Sequence, residues 1–207
     1  VTAKIGLIGD VHATAAPVRE ALAIFRREEV DTILCPGDIA GYGTELEPTV
    51  ELLIDSGCRA ILGNHDLWWL SGPDRVAGGA VETYLRSLPP VIELSVAGKQ
   101  VYMVHAHPPE SLMDGIRLLD ENGTLIPEKR DLWTDYLKAF PFDVLVVGHT
   151  HQVFAEWLGD LLVVNPGSTR FNHTCAVLSL PAMEVRFIPL GGRTPVRAWN
   201  WGMEGNG

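Results

Sequence analysis

The sequence predicts an α/β protein in which two mixed β-sheets pack face to face with helices on their outer sides, a four-layer α-β-β-α sandwich. Three observations predict it. Apolar strand-like runs alternate with helically spaced segments over residues 4–62. From residue 91 onward short apolar runs dominate, and two pairs of them flank glycine-bearing tight turns. The 207 residues are 46% hydrophobic and 20% charged, which suits one core more easily than two.

Residues 4–8 form a short apolar run ending at Gly9-Asp10, and 17–27 carry helical spacing through Val18, Leu22 and Phe25. Residues 32–35 form a second apolar run that stops at Pro36-Gly37-Asp38; a helix follows at 48–55, and 59–62 runs into Gly63-Asn64-His65-Asp66. Three successive strands thus stop at a polar cluster opened by glycine or proline. In open α/β sheets ligands gather outside the carboxyl ends of strands, so this placement marks a site. Residues 67–90 are less regular, with a helix at 81–88. Residues 91–96 and 100–105 flank Ala97-Gly98-Lys99 as a hairpin. A helix fits 132–139, and 143–147 is a strand ending at Gly148-His149-Thr150-His151. Residues 153–158 and 161–164 flank Gly159-Asp160 as another hairpin, and two last strands fit 175–180 and 184–188. One domain is expected over 1–190, followed at 191–207 by a loosely held tail bearing Gly, Asn and Pro.

Sixteen Lys and Arg against 26 Asp and Glu leave a formal net charge of −10. A surface of that sign repels nucleic-acid backbone and argues against broad binding to duplex DNA or RNA. It says little about a small anionic ligand, because bound divalent cations reverse the local field. No apolar run is long enough to cross a bilayer, and Val1-Thr2-Ala3-Lys4 leads straight into a strand without the regions of a signal peptide. A cytoplasmic location without membrane association is therefore the expectation. Cys35, Cys58 and Cys175 are scattered and odd in number. They read as small buried apolar residues in a reducing compartment.

Histidine is where the sequence becomes specific. Of the seven, His12, His65, His105, His107, His149 and His151 sit in or beside a loop directly after an apolar strand, each near an Asp, an Asn or a second His; the seventh is His173. Two divalent cations held about 3.5–4 Å apart need imidazole and carboxylate ligands, with one carboxylate bridging them. Imidazole suits zinc, iron, nickel and manganese. Asp10-Val11-His12 supplies an oxygen and a nitrogen, Asp38 a single carboxylate, Asn64 an amide oxygen, and His105, His149 and His151 further nitrogens. In Gly148-His149-Thr150-His151 an extended backbone is expected to point both imidazoles to the same side.

Taken in order, Asp10-x-His12, Gly37-Asp38, Gly63-Asn64-His65-Asp66, His105 and Gly148-His149-Thr150-His151 resemble the motifs of the calcineurin-like metallophosphoesterases. The match extends to the turn Asn165-Pro166-Gly167-Ser168, which looks like one in the small single-domain bacterial and archaeal phosphodiesterase branch. The resemblance implies a first metal on Asp10, His12, Asp38 and His151, and a second on Asp38, Asn64, His105 and His149, bridged by Asp38. It implies a water or hydroxide between the metals as the nucleophile, attacking phosphorus in line. His65 is then no ligand but either a general acid for the leaving alkoxide or a hydrogen-bond donor to the charged transition state. The implied activity is hydrolysis of a small phosphodiester or phosphomonoester, nucleotide-like ones included. Manganese is the first candidate metal, with iron, nickel or zinc as alternatives. A non-catalytic metal-binding interaction module on the same fold is the rival, and retention of His65 with the whole ligand set weighs against it. A nuclease is disfavoured by the charge and by the lack of a basic, aromatic-lined groove.

Several residues keep two readings. His107 competes with His105 or is a polar loop residue, and His173 reads as a surface histidine. Asp66 either orients His65 or a metal-bound histidine, or caps a helix before Leu67-Trp68-Trp69. Trp68 and Trp69 either wall a pocket for a nucleobase or, as is commoner beside a sheet, belong to the core. Tyr42 sits where a side chain can reach the metals, with Gly41 and Gly43 supplying backbone freedom. Arg170 is a phosphate partner or a solvated surface cation. The protein Ser/Thr phosphatases carry Gly-Asp-x-x-Asp-Arg-Gly, where this chain has Gly37-Asp38-Ile39-Ala40-Gly41-Tyr42-Gly43. Lacking the second Asp and the Arg, it does not read as a phosphoprotein phosphatase, and the partner of His65 is unassigned.

Overall fold

The computed structural model describes residues 2–73 and 77–198. The chain begins β1 (Ala3–Leu7), α1 (Ala15–Arg27), β2 (Thr32–Cys35), α2 (Leu46–Asp55), β3 (Arg59–Ala60), α3 (Asn64–Ser71) and α4 (Ala80–Ser87). It continues β4 (Val91–Val96), β5 (Lys99–Val104), α5 (Pro127–Leu137), β6 (Val144–Val146), β7 (Val153–Leu158), β8 (Leu161–Pro166), β9 (Thr174–Leu180) and β10 (Glu184–Pro189). The strands form two five-stranded sheets, ordered β10-β9-β1-β2-β3 and β4-β5-β6-β8-β7. Both are mixed. Parallel β1–β2–β3 is extended by antiparallel β9 and β10, and parallel β5–β6–β8 is flanked by antiparallel β4 and β7.

The period-two alternation of side chains sorts each strand into two faces. Ile5 and Leu7 of β1 with Ala176, Leu178 and Leu180 of β9 meet Val101, Met103, Val144, Val146, Leu162 and Val164 between the sheets. Cys175 and Val177 point the other way, onto Leu22 and Phe25 of α1, Val50 and Leu53 of α2 and Leu85 of α4. On the far side Tyr102, Leu145, Val147 and Val163 pack on Leu137 of α5 and on Ile116, Leu118 and Leu119 before it. The expected four layers follow. Burial of each such side chain is worth about 1.5–3 kcal/mol, and these layers hold the strand ends in place.

Some boundaries move for identifiable reasons. Pro127 opens α5 in its first turn, earlier than the expected 132, because proline there forfeits no helical hydrogen bond. The run 59–62 is paired in β3 only at Arg59–Ala60, and Leu62 N–H donates to Pro89 O instead. Helix α3 starts at Asn64, inside the polar motif and three residues before the helix that the capping reading of Asp66 placed from Leu67. Beyond Leu190, where a loose tail was expected, Val196 N–H donates to Asn172 O and Val153 N–H donates to Arg197 O. The rest of that expected tail, 199–207, lies outside the described residues. All three cysteines are free, with Cys35 and Cys175 in the core beside α1. Among the described residues no helix is long and apolar enough to cross a membrane.

Candidate metal centre

Five strand ends converge. The segments after β1, β2, β3, β5 and β6 carry Asp10 and His12, Asp38, Asn64, His105, and His149 with His151, and all seven side chains are buried. Donor atoms of Asp10, His12, Asp38 and His151 lie within 4.8 Å of one another, as do those of Asp38, His105 and His149, so Asp38 is common to both groups. His12 Nε2 is 3.0 Å from His151 Nε2 and 4.0 Å from Asp38 Oδ2. His105 Nε2 is 3.4 Å from Asp38 Oδ1. Asn64 Oδ1 lies 3.0 Å from His105 Nε2 and 2.9 Å from His149 Nδ1, which adds Asn64 to the second group.

The backbone achieves this by bending. Asp10, His12, Asp38, His149 and His151 have φ of 44°, 45°, 55°, 64° and 48°. A left-handed non-glycine residue costs about 1–3 kcal/mol and persists only where its surroundings over-determine it. The extended backbone expected at 149–151 is therefore absent. The two rings go to different groups, His151 toward Asp10 and His12, His149 toward Asn64. Hydrogen bonds brace the bends: His149 N–H donates to Asp10 Oδ1 at 2.9 Å, and His12 N–H to Asp38 O at 3.0 Å. The 165–168 turn acts as a strut, since Asn165 Nδ2 donates to Gly148 O and Ser168 Oγ donates to Asp10 O. Gly41 (φ 93°) leaves room for His65, whose Nδ1 would be 2.5 Å from an added Cβ. Gly43 serves contact rather than freedom, because a Cβ there would overlap the carbonyl oxygens of His12 and Ala13.

The hydrogen-bond pattern leaves lone pairs facing inward. His105 Nδ1–H donates to Pro36 O at 2.6 Å and His12 Nδ1–H to Ala40 O at 3.1 Å. A carbonyl only accepts, so each Nε2 presents a lone pair to the cluster. That of His105 meets the Asn64 oxygen. Burial holds His105 down to about 4, so protonation does not relieve the contact at neutral pH. Burial first, then neighbouring histidines, pulls His149 and His151 to about 3 and His12 well below its usual value. Burial pushes Asp38 up to about 7, and burial with the Asp38 charge pushes Asp10 well above the carboxylate range. Asp10 Oδ2 and Asp38 Oδ2 are buried without a hydrogen-bond partner among the described residues. Neutral imidazoles around buried carboxylates that each keep one oxygen without a donor are a donor set for divalent cations, and these residues fit such ions.

Around this core the remaining candidates separate. His65 is half-buried, its ring 4.7 Å from those of Tyr42 and Trp68, and its backbone N–H donates to Asp38 Oδ1 at 2.9 Å. Burial and then His105 hold it down to about 4. Asp66 caps the helix that contains Leu67-Trp68-Trp69, from its third position rather than as the N-cap, and its carboxylate accepts from backbone N–H groups rather than from a histidine. Its Oδ1 accepts from Ala40 N–H at 2.7 Å and its Oδ2 from Gly63 N–H at 2.9 Å. From the third helical position it reaches back to the capping residue, Gly63, and ties the loop after β2 to α3. His107 does not compete with His105; its Nδ1 faces Pro108 O and its ring lies by Trp133 and Tyr136. His173 pairs with Arg193, and Arg170 donates to Thr14 Oγ1 and lies over Phe171. Trp69 packs on the core, but Trp68 is 56% exposed.

Two features escaped the sequence. Phe171 stacks on His151 at 5.3 Å and 23°. Arg117, with Met113 and Asp114, walls a cavity of about 510 Å³ shared with Tyr42, Asn64, His65, Trp68 and His149. Neither residue lies in a strand-end motif. The one signal was proximity to the 165–168 turn, three residues before Phe171.

Comparison with known proteins identifies the family. The family model for the calcineurin-like phosphoesterase superfamily domain matches residues 3–183. An uncharacterized protein of Methanocaldococcus jannaschii is 28% identical over 175 residues, 75% of this chain and 65% of its own length. A phosphodiesterase of the same archaeon is 24% identical over 172 residues, 79% of this chain and 82% of its own. This chain thus spans just under two thirds of the first relative and most of the second. The solved structure of an archaeal phosphodiesterase shares the fold with a TM-score of 0.61 and 22% identity, covering 90% of this chain and 99% of that one. The chain belongs to the calcineurin-like phosphoesterase superfamily.

Proposed function

We propose that this superfamily member hydrolyses small phosphate esters, diesters foremost, with two divalent cations held by the Asp/His cluster. The observation that carries this reading is the pair of buried oxygens, Asp10 Oδ2 and Asp38 Oδ2, left without a hydrogen-bond donor beside imidazoles that burial keeps neutral. Asp10, His12, Asp38 and His151 would hold one cation, and Asp38, Asn64, His105 and His149 the other, with Asp38 shared. The donor set accepts manganese, iron, nickel or zinc. Bound cations supply Lewis acidity toward phosphoryl oxygens and acidify water toward neutral pH.

The chain's own residues do the rest. His65, neutral at pH 7 because burial holds it near 4, donates an N–H to charge developing on the phosphoryl group or leaving oxygen. Tyr42, Trp68 and Gly41 fix its ring beforehand, so no reorganisation is needed at the moment of reaction. Phe171 and Tyr42 shield His151 and His12 from water. The ester enters on the side of His149, where the cavity opens. The preference for diesters draws on the likeness to the Methanocaldococcus jannaschii phosphodiesterase.

The test uses bis(p-nitrophenyl) phosphate and p-nitrophenyl phosphate with protein loaded with manganese, iron, nickel or zinc. Turnover is expected, faster on the diester. A protein that binds its cations yet cleaves neither ester sinks the proposal and favours a non-catalytic binding module. Faster cleavage of single-stranded nucleic acid than of either ester favours a nuclease.

A further inference from the structure

We propose that the cavity beside the second donor group is a subsite for a nucleoside diphosphate moiety, with Trp68 stacking the base and Arg117 gripping the phosphate beyond the scissile one. The assignment rests on the phosphoesterase reading of the cluster and names its substrate class. At about 510 Å³ the cavity falls within the range of small-molecule sites, about 300–1,000 Å³.

Its two walls differ in chemistry. One is the start of α3 with Asn64, His65 and Trp68, joined by Tyr42; the other is the 113–117 segment with Met113, Asp114 and Arg117. Trp68, Tyr42 and Met113 are 56%, 49% and 50% exposed, so three large apolar side chains face solvent around one opening. Apolar groups gathered in this way mark a ligand surface more than scattered ones do. Trp68 is also held edge-on to His65 at 4.7 Å, which fixes the indole beside the catalytic imidazole.

Arg117 is an exposed side chain on a rigid backbone. Thr150 Oγ1 donates to Ile116 O at 3.1 Å, and Leu118 and Leu119 N–H both donate to Gln152 Oε1, at 2.8 and 3.0 Å. Ile116 and Leu118 on either side are fully buried. The main chain on either side of Arg117 is thereby tied to the 149–152 segment that carries His149 and His151. In a chain with a net charge of −10, a guanidinium lining this cavity attracts a second phosphate. Asp114, on the same wall, has only acceptors to offer and complements a sugar hydroxyl between base and phosphate. An aromatic base, a hydroxyl-bearing sugar and two adjacent phosphates match the aromatic, acceptor and cationic groups on these two walls. The reaction is unchanged: water forms the new P–O bond as the bond from phosphorus to the leaving oxygen breaks, one proton of the water goes to that oxygen, and the other goes to solvent.

Calorimetric binding of ADP and AMP to manganese-loaded protein, dialysed free of unbound metal, tests the subsite in the native chain, Arg117→Gln and Trp68→Ala. Both substitutions fall on exposed side chains and should preserve the fold. ADP is expected to bind the native protein about tenfold or more tighter than AMP. Arg117→Gln should abolish that ratio, and Trp68→Ala should weaken both ligands about tenfold with the ratio retained. Equal affinities in the native protein, a ratio that survives Arg117→Gln, or Trp68→Ala binding at native strength each overturns it. Turnover of bis(p-nitrophenyl) phosphate separates the two levels. Turnover with ADP and AMP bound alike removes the subsite alone. The expected ADP preference without turnover keeps the subsite and removes the phosphoesterase reading.

Discussion

The two donor groups share Asp38 but live in different surroundings. Asp10, His12 and His151 are wholly shut off from solvent, and the rings of Phe171 and Tyr42 stand over His151 and His12. Asn64 and His149 keep 4% and 6% of their surface exposed and line the cavity that Arg117 borders. Both groups are built from strand ends with left-handed residues, so the difference comes from what covers them. The 165–171 segment closes one side, and the 113–117 segment leaves the other open. One donor group is thus sealed and the other borders open space, which ties the side from which the cluster is reached to the packing of two loops.

The largest expected effect comes from removing what the halves share. Asp38→Ala should lower kcat/KM by about 10³-fold or more and reduce cation binding at both groups, measured by turnover and elemental analysis. Retention of a full complement of metal would show that Asp38 bridges nothing. Next, His65→Ala should lower kcat by about 10²–10³-fold with metal content intact, because it removes a donor and no ligand. Loss of metal in that variant would make His65 part of the cage. Limiting chelator should then strip the open group before the closed one, giving two steps in both metal content and melting temperature. Each cation contributes about 2.7 kcal/mol when present at a hundred times its Kd. Loss of both together would erase the distinction, and Phe171→Ala should narrow the gap between the steps.

The smallest effect is expected far from the cluster. Gln100 N–H at 2.8 Å and Lys99 Nζ at 2.9 Å hold the Asp143 carboxyl below its usual range. A lowered value in the folded state stabilises above the unfolded pKa of about 3.9 and fades as pH falls through the folded value. Both partners are about a third exposed, so Asp143→Asn should cost under about 1 kcal/mol at pH 7 and less at pH 3, read by urea unfolding. A larger loss at pH 3 than at pH 7 would reverse the sign.

The same contrast explains what could be read from the chain. Asp10, Asp38, Asn64, His105 and His149 each follow an apolar strand through a glycine, a proline or nothing at all, and that punctuation is local. The sandwich was legible for the same reason, since near-continuous apolar runs such as 101–104 and 175–180 declare strands covered on both faces. Arg117 and Phe171 were not legible, because their positions depend on Gln152, Thr150 and His151 meeting them across the fold. The start of α3 was not legible either, because its capping residue is a glycine with no side chain to announce it and its Asp66 also serves Ala40, 26 residues earlier. The left-handed bends at 149 and 151 depend on a strut, Asn165, that nothing in the His-Thr-His motif reveals.

Manganese stoichiometry and electron paramagnetic resonance on folded, fully loaded protein test the central claim most directly. Two donor groups joined through one carboxylate predict two equivalents per chain with an exchange-coupled signal, lost in Asp38→Ala. One equivalent, or two that behave as isolated ions, would contradict it.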